Sequence, residues 1–264
     1  MKKKNLRITI AGSGGVAEAF CRWIPSSGYE VAQVFARNED RGKKLADLAG
    51  SRWTSDPEAL ESVDLFLIAV SDSAIREVAA SLDPGDAVVA HTSGSCGLNE
   101  LPTNIRKKGV FYPLQTFTPG LIFDYEKIPI FIEAENADTY EVLTSLASNL
   151  SESVYRSDSE LRRKLHVAAV FVCNFVNDLY VTGESLMKAS GLDFEVLKPL
   201  IEETTRKVLN NPSPLPLQTG PAVREDWPTI EKHMQMLERY PDLQTIYSLL
   251  TEHIIKMKQT HGEL

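Results

Sequence analysis

The chain has 264 residues, enough for one large hydrophobic core or two smaller ones. Its net charge of −8 and pI of about 5.3 argue against a nucleic-acid-binding surface. No apolar run reaches the roughly 18 residues that span a bilayer, so we expect neither a nucleic-acid nor a membrane partner. Three scattered cysteines, Cys21, Cys96 and Cys173, form neither a metal site nor a redox pair and favour a cytoplasmic location with reduced thiols.

The first predicted strand, Arg7 to Ala11, leads directly into a glycine-rich turn and then a helix. Gly12 permits the tight turn, and Gly14 lets the backbone approach a pyrophosphate that faces the N-terminus of the helix. In this context the pattern indicates a dinucleotide site rather than an ordinary strand-to-helix loop. The predicted contacts are Gly12, Ser13, Gly14, Gly15 and Val16.

The second predicted strand, Glu30 to Ala36, ends without an acidic residue. A site selective for NAD usually places Asp or Glu there, roughly 20 residues beyond the glycines, on the ribose 2′-hydroxyl. Here Arg37 can form two charge-assisted hydrogen bonds with a 2′-phosphate, and Asn38 can donate beside it, so we predict NADP. Glu39 and Asp40 would bring an acid nearer if the strand ended one residue later, but acids at a helix N-terminus explain them better.

Apolar runs alternate with helical patterns through the rest of the first half. This alternation predicts an α/β fold with a doubly wound, mostly parallel Rossmann sheet, whose strand ends carry the ligand. Polar residues follow three of these strands, and from them we predict cofactor contacts at Val70, Ser71, Thr92 and Ser93 and a substrate contact at Gln115. The further predicted strands are Asp64 to Ala69, Asp86 to His91, Val110 to Tyr112, Ile128 to Glu133 and Val154 to Arg156.

After residue 157 the pattern becomes helical, which predicts a Rossmann domain over residues 1–157 and an all-α domain over residues 158–264. The first helix, Ser159 to Ser190, is nearly continuous in apolar character from Val167 to Val176. We expect burial against a second copy in a homodimer, although a helix enclosed within one subunit would have the same pattern. The basic run from Arg162 to Lys164 is expected to be a solvated face. Two more helices are predicted, from Asp193 to Leu209 and from Asp226 to the C-terminus.

The segment Asn210 to Pro221 contains four prolines and one glycine and cannot be helical. It is either a linker or, with the residues that follow, a shaped loop. From this loop we predict that Thr219 and Arg224 bind the substrate, with Arg224 clasping a carboxylate. Arg224 could instead only pair with Asp226, for which the favoured role is to cap the last helix.

Seven segments distributed over nearly the whole chain carry a resemblance to one family: GSGGVA, FAR, IAVSDSAI, HTSGS, YPLQTF, HVAAVFVCNF and TGPAVREDWPTIEKH. On these segments the chain resembles a bacterial family of NADP oxidoreductases, in which a Rossmann-like domain precedes a helical domain of uncharacterised function. That family is in turn similar to pyrroline-5-carboxylate reductases, the 6-phosphogluconate dehydrogenase superfamily and deazaflavin-dependent NADP reductases. The resemblance implies an NADP oxidoreductase but names no substrate.

The chain departs from these relatives at two positions. The β-hydroxyacid dehydrogenase relatives carry a catalytic Lys four residues before an Asn on the long helix, and here Val170 stands four residues before Asn174. The acid–base mechanism of that Lys therefore does not carry over. The second departure is Tyr112-Pro113, where the family often has His-Pro, so a hydrogen-bonding aromatic residue can replace that His.

Reduction of a C=O or C=N bond also needs a proton, and histidine titrates near neutrality. His91 ends a central strand, and either serves the chemistry or bonds neighbouring backbone. His166 and Asn174 lie eight residues apart on one broad side of the long helix. They are the predicted proton donor and orienting amide, although a polar contact with a dimer partner would also explain them.

The residues therefore favour an NADP-dependent oxidoreductase that reduces a small, anionic molecule in the cleft between the two domains, without a metal. An alternative of a different class is a non-catalytic homodimer that senses NADP(H) or another nucleotide, which the missing Lys keeps open. A third interpretation, binding of a deazaflavin, requires room for a second large cofactor.

Overall fold

The computed structural model describes residues 6–261. Its centre is an eight-stranded sheet with the strand order β3-β2-β1-β4-β5-β6-β7-β8. Neighbouring strands pair in parallel except β6 and β7, which are antiparallel. The strands are β1 (Arg7–Ala11), β2 (Glu30–Phe35), β3 (Arg52–Thr54), β4 (Leu65–Ile68), β5 (Val88–His91), β6 (Lys108–Pro113), β7 (Ile130–Ala134) and β8 (Val154–Arg156).

Helices cover both faces of this sheet. Phe20 and Trp23 of one helix and Leu143 of another pack in a hydrophobic cluster with Ile10, and a second cluster holds Phe66 of β4. Central strands are apolar on both sides because both sides are covered, which confirms the predicted doubly wound α/β fold. The helices are α1 (Gly15–Ser26), α2 (Glu39–Ala49), α3 (Ile75–Ala80), α4 (Ala137–Leu150), α5 (Ser159–Ala169), α6 (Phe175–Ala189), α7 (Lys198–Leu209), α8 (Trp227–Met236) and α9 (Pro241–His261).

The carboxyl ends of the central parallel strands meet at one edge of the sheet. Ala11 of β1 is in register with Ile68 of β4, which pairs with His91 of β5, which in turn pairs with Val110 of β6. The chain turns in opposite directions from β1 and from β4, so a crevice opens between them at this edge. The glycine turn and the polar segments that follow β4, β5 and β6 therefore lie along the same edge.

Two features of the sheet differ from the sequence prediction. The three-residue strand β3 was not predicted, because its sequence, Arg-Trp-Thr, is too short and polar to form an apolar run. The reversed direction of β7 leaves the sheet mostly parallel, as predicted, with one antiparallel pair.

The helical segments follow the predicted order with two changes. A single turn of π-helix, Val170–Asn174, joins α5 to α6 and makes one continuous helix of 31 residues, Ser159–Ala189. The predicted last helix is two helices, because it is interrupted after Met236 and resumes at Pro241 as α9. The described chain divides into two compact units after Leu179, inside the long helix, since its first turns contact the sheet. The predicted boundary at residue 157 precedes those turns.

The long helix corrects one expectation from the sequence. By length and composition alone it could cross a membrane, with a mean hydropathy of 1.4 over 18 residues and none of that window buried. We expected no such segment because polar residues interrupt the apolar run, but they are too few to lower the average. A core helix of a soluble protein passes the same test, so length and composition decide little here.

Candidate functional site

The glycine turn after β1 has the geometry of a phosphate-binding turn. Gly12 has φ of +136°, and a Cβ at this position would lie 2.1 Å from the carbonyl oxygen of Ala69. Only glycine fits here, because both the dihedral angle and the close approach of β4 exclude a side chain. Gly14 precedes α1 without any side-chain cap, so the amides of the first helical turn face outward with no internal acceptor.

A cavity of about 570 Å³ lies in front of this turn. Nine of the eleven residues predicted to bind the cofactor line it: Gly12, Ser13, Gly14, Gly15, Val16, Arg37, Asn38, Val70 and Ser71. An added Cβ on Gly14 would meet no atom within 4 Å, so space remains at that backbone for a bound phosphate. These residues fit a nicotinamide dinucleotide.

The residues after β2 have two different roles, at the cavity and at the start of α2. The Oδ1 atom of Asn38 accepts from the backbone amide of Arg41 at 2.9 Å and caps α2, which leaves its NH₂ group as the donor towards the cavity. Glu39 and Asp40 lie in the first turn of that helix, and Glu39 pairs with Lys43. Glu39 and Asp40 are therefore part of the helix N-terminus, as we predicted from the sequence.

His91 bonds to the backbone through both ring nitrogens. Nδ1 accepts from the amide of Ser93 at 3.2 Å, so Nε2 carries the proton and donates to the carbonyl of Gly97 at 3.2 Å. The side chain is fully buried, and burial lowers the pKa of His91 to about 4. This arrangement is the alternative left open by the sequence: His91 holds the loop after β5 in place and stays neutral at pH 7.

Thr92 and Ser93 do not line the dinucleotide cavity. The hydroxyl of Thr92 donates to the carbonyl of Ile68 at 3.3 Å. The hydroxyl oxygen of Ser93 accepts from the amides of Ser95 and Cys96 at 3.1 and 3.0 Å. Both side chains therefore stabilise the loop, and their contact with a cofactor stays a prediction.

A second cavity, of about 520 Å³, lies between the end of β6 and the long helix. Tyr112, Gln115, His166 and Asn174 are among the residues that line it. The Tyr112 hydroxyl lies 3.3 Å from Nδ1 of His166, and the two rings meet edge to face. Three predicted residues, Gln115, His166 and Asn174, are thus brought together, and Tyr112 joins them although it was not predicted as a site residue.

The character of this second cavity follows from its lining, which contains no Arg, Lys, Asp or Glu among the described residues. Asn174 closes the π-helical turn, a local widening of the helix that is often found at functional sites. Burial raises the pKa of Tyr112, so its hydroxyl keeps its proton at neutral pH. The remaining lining residues are Leu114, Thr116, Leu165, Ala168, Ala169, Val170, Val172 and Cys173.

The loop after β6 links the two cavities. A Cβ on Gly15 would lie 2.1 Å from the carbonyl oxygen of Phe117, so this loop packs directly on the glycine turn. The amide of Gly120 also donates to Glu18 of α1 at 3.1 Å. Gln115, at the start of the loop, is therefore held close to the phosphate-binding turn.

Arg162 corrects the expectation of a solvated basic run. Its side chain is fully buried, where it pairs with Glu133 of β7 and donates to the carbonyl of Cys96 at 2.6 Å. Ser159 also donates to Glu133, at 2.9 Å. Arg162 lies one turn before His166 and fixes the helix to both β7 and the loop after β5. Three adjacent basic residues carry no sequence signal that one of them is internal.

The second unit holds the remaining predicted residues. Asp226 caps α8 by accepting from Thr229, as the favoured interpretation held, while Arg224 is exposed on the preceding loop. His233 bonds to the hydroxyl of Tyr247 at 2.7 Å. The predicted substrate contacts of Thr219 and Arg224 stay predictions. Between residues 6 and 261 no group of three His, Cys, Asp or Glu side chains is placed to hold a metal ion.

Comparison with known proteins identifies the two halves of the chain. Residues 7–94 match the family model described as "NADP oxidoreductase coenzyme F420-dependent", and residues 128–254 match the "Domain of unknown function (DUF2520)". A Bacteroides fragilis protein assigned as an NADP oxidoreductase is 36% identical, with a TM-score of 0.90 over 96% of this chain and 98% of that one. No curated protein matches the sequence.

More distant solved structures share the fold. A 1-pyrroline-5-carboxylate reductase from Streptococcus pyogenes is 13% identical, with a TM-score of 0.60 over 96% of this chain and 98% of its own. An imine reductase from a Pseudomonas species is 16% identical, with the same TM-score over 97% and 96%. With its glycine turn, its dinucleotide cavity and its likeness to the Bacteroides protein, the chain belongs to the family of NAD(P)-dependent oxidoreductases that join a Rossmann-like NADP oxidoreductase domain to a DUF2520 domain.

Proposed function

We propose that the protein uses NADPH to reduce a C=O or C=N bond of a small molecule. The observation that carries this proposal is the position of the second cavity, whose Tyr112 lies at the same edge of the sheet as the dinucleotide cavity. The bound nicotinamide supplies the hydride. The chain must then bind the phosphates, orient the substrate and deliver one proton.

The choice of NADP over NAD is supported by Arg37, which lines the dinucleotide cavity at the end of β2. A guanidinium at that place favours a 2′-phosphate through charge and paired hydrogen bonds. The neighbouring acids do not compete, because Glu39 pairs with Lys43 on the helix.

Two residues of the second cavity have proposed roles in the reaction. The amide of Asn174 orients the substrate, and His166 takes part in proton supply. His91 has no part in proton transfer in this proposal, because burial keeps its ring neutral and both ring nitrogens are already bonded. The cavity lining is uncharged, so it suits the part of the substrate that bears the reducible bond.

The experiment separates enzyme from sensor. NADPH binding is measured by nicotinamide fluorescence, and then oxidation at 340 nm is followed with cyclic imines, imino acids, 2-oxo acids, aldehydes and a deazaflavin. Tight NADPH binding with turnover of at least one C=O or C=N compound supports the proposal. Tight binding without any oxidation across these classes supports the nucleotide sensor instead, and turnover with the deazaflavin alone supports the third interpretation.

The apolar surface of the long helix is proposed to bind a second copy of this chain. Val167, Phe171, Val172 and Phe175 are all at least half exposed, at 57%, 63%, 75% and 50%. A surface of this kind along one helix is typical of a permanent homodimer interface. Asn174 and Asp178 interrupt it, which disfavours lipid as the occupant because uncompensated polar groups are costly in a bilayer.

A further inference from the structure

We infer that Tyr112 is the proton donor of the reaction, and that His166 positions its hydroxyl and resupplies the proton. This assignment rests on the proposed function and deepens it. It names a residue that sequence reasoning treated only as a replacement for histidine. Four observations carry it: the place of Tyr112 on the sheet, its pairing with His166, the packing of Gly94 against both rings, and the charges that face the phenol.

Tyr112 is the one buried polar residue among the described residues that line the second cavity. It belongs to β6, whose backbone pairs with β5 on one side and β7 on the other, and its side chain is only 8% exposed. A donor on a central strand keeps a fixed distance to a substrate bound at the strand ends. His166 is half-buried and lies one turn before the π-helical turn, and Asn174 is exposed and is the last residue of that turn.

The backbone of Gly94 seals the pair from one side. A Cβ at this position would lie 2.7 Å from Cζ of Tyr112 and 2.9 Å from both its hydroxyl oxygen and Nδ1 of His166. The loop after β5 therefore packs directly on the hydrogen bond between the two rings. Any larger residue would separate them, so glycine at position 94 is explained by this contact.

The proton transfer is balanced through the pair. The O–H bond of Tyr112 breaks and its proton goes to the substrate oxygen or nitrogen, which gains an electron pair as the carbon is reduced. The phenolate then takes a proton from Nδ1 of His166, and the half-buried imidazole takes one from water at Nε2. The ring is then in its Nε2–H tautomer, and exchange of its ring proton with solvent restores the Nδ1–H tautomer before the next cycle. One proton from solvent is consumed in all.

Charged groups around the phenol support this cycle. Burial raises the pKa of Tyr112, which keeps the donor protonated, while the positive charge of Arg162 lowers it and Asp72 raises it. Arg162 is fixed by Glu133, so its charge is available to stabilise the transient phenolate. His166 also stabilises the phenolate, because its Nδ1 donates a hydrogen bond to the phenolic oxygen of Tyr112.

The test uses Tyr112→Phe, which removes only the hydroxyl, beside the control Tyr155→Phe, which removes a half-exposed hydroxyl of β8. We expect kcat of Tyr112→Phe to fall by roughly 10²- to 10⁴-fold with the best substrate of the panel. NADPH affinity should stay within about twofold, because no dinucleotide contact is touched, and Tyr155→Phe should match the wild type. A thermal melt of each variant checks that it is folded.

A second measurement does not depend on turnover. Nitrogen-15 NMR of the histidine rings should show that Tyr112→Phe moves the Nδ1 signal of His166 but leaves the ring signals of His233 unchanged. A substrate-reducing wild type whose Tyr112→Phe variant keeps kcat within threefold overturns the assignment of Tyr112 and leaves the proposed function standing. An unshifted His166 signal overturns the pairing, whereas a wild type that oxidises no NADPH removes the proposed function itself.

Discussion

Arg162 and Glu133 form an ion pair inside the first unit that joins the long helix to strand β7. The guanidinium is fully buried and the carboxylate is 15% exposed. Ser159 donates to the same carboxylate, and the guanidinium also holds the carbonyl of Cys96. Through these contacts Arg162 fixes the long helix, strand β7 and the loop after β5. This loop packs on the hydrogen bond between Tyr112 and His166.

Breaking this pair should destabilise the protein strongly. Arg162→Met leaves Glu133 without its partner, and removal of one member of a buried pair costs about 3 to 5 kcal/mol. Urea unfolding followed by circular dichroism measures the free energy of unfolding. Arg163→Met, which removes the exposed neighbouring charge, should change it by less than about 0.5 kcal/mol. Equal effects of the two variants would contradict the structural role of Arg162.

Two glycines of the phosphate turn should respond differently to the same change. Gly12→Ala places a methyl group against the carbonyl of Ala69 at a dihedral angle that disfavours it, so the variant should fold poorly. Gly14→Ala meets no protein atom and has an ordinary φ of −88°, so it should fold like the wild type. Its methyl group occupies the space of the phosphate, and NADPH affinity should fall at least tenfold. Thermal melts and fluorescence titrations separate the two effects, and wild-type affinity in Gly14→Ala would argue against the cofactor position.

Arg37 should decide between the two nicotinamide cofactors. Arg37→Ala removes the group proposed to hold the 2′-phosphate, and loss of a charge-assisted pair of hydrogen bonds costs about 1.5 to 3 kcal/mol, or at least tenfold in NADPH affinity. NADH affinity should change by less than threefold, because NADH has no such phosphate. Arg106→Ala, at an exposed site outside the cavity lining, serves as the control. Equal losses for both cofactors would mean that Arg37 does not read the 2′-phosphate.

The order of elements and most of the lining of the first cavity could be predicted because they depend on local patterns. A continuous apolar run such as Leu65 to Val70 is buried as a central strand of a sheet that helices cover on both faces. The glycine turn after β1 follows from backbone sterics. The direction of β7 could not be predicted, since an apolar run has the same composition in either orientation.

The residues that were missed depend on contacts between distant parts of the chain. Arg162 looked solvated beside Arg163 and Lys164, and only the position of Glu133, 29 residues earlier, makes it internal. Tyr112 and His166 are 54 residues apart, and no local pattern brings them together. His91 was predicted at a strand end, but its neutral state follows from burial and two backbone bonds that depend on the folded loop.

The long helix should control the oligomeric state. Phe171→Glu places a charge in the apolar surface proposed to bind a second copy, so a dimer of 29.3 kDa chains should become monomeric. Ile122→Glu, at a site that is 79% exposed on a loop of the first unit, should leave the mass unchanged. Size-exclusion chromatography with light scattering gives the mass. A monomeric wild type, or a wild type that sediments with phosphatidylcholine–phosphatidylglycerol vesicles, would contradict the second copy as occupant.

His91 should make the stability of the fold depend on pH below neutrality. Its pKa is about 4 in the fold against 6.5 as its ordinary value, so between these values the unfolded chain binds a proton that the folded chain does not. The free energy of unfolding therefore falls as pH drops from about 6.5 to about 4, and this residue should account for about 2 kcal/mol of the loss between pH 7 and pH 5. Urea unfolding at both pH values should show a smaller loss in His91→Gln, which has no ring to protonate. His253→Gln, at an exposed site, should retain the wild-type difference. If His91→Gln lost as much stability as the wild type over this interval, the neutral, backbone-bonded ring would not be the source of the pH dependence.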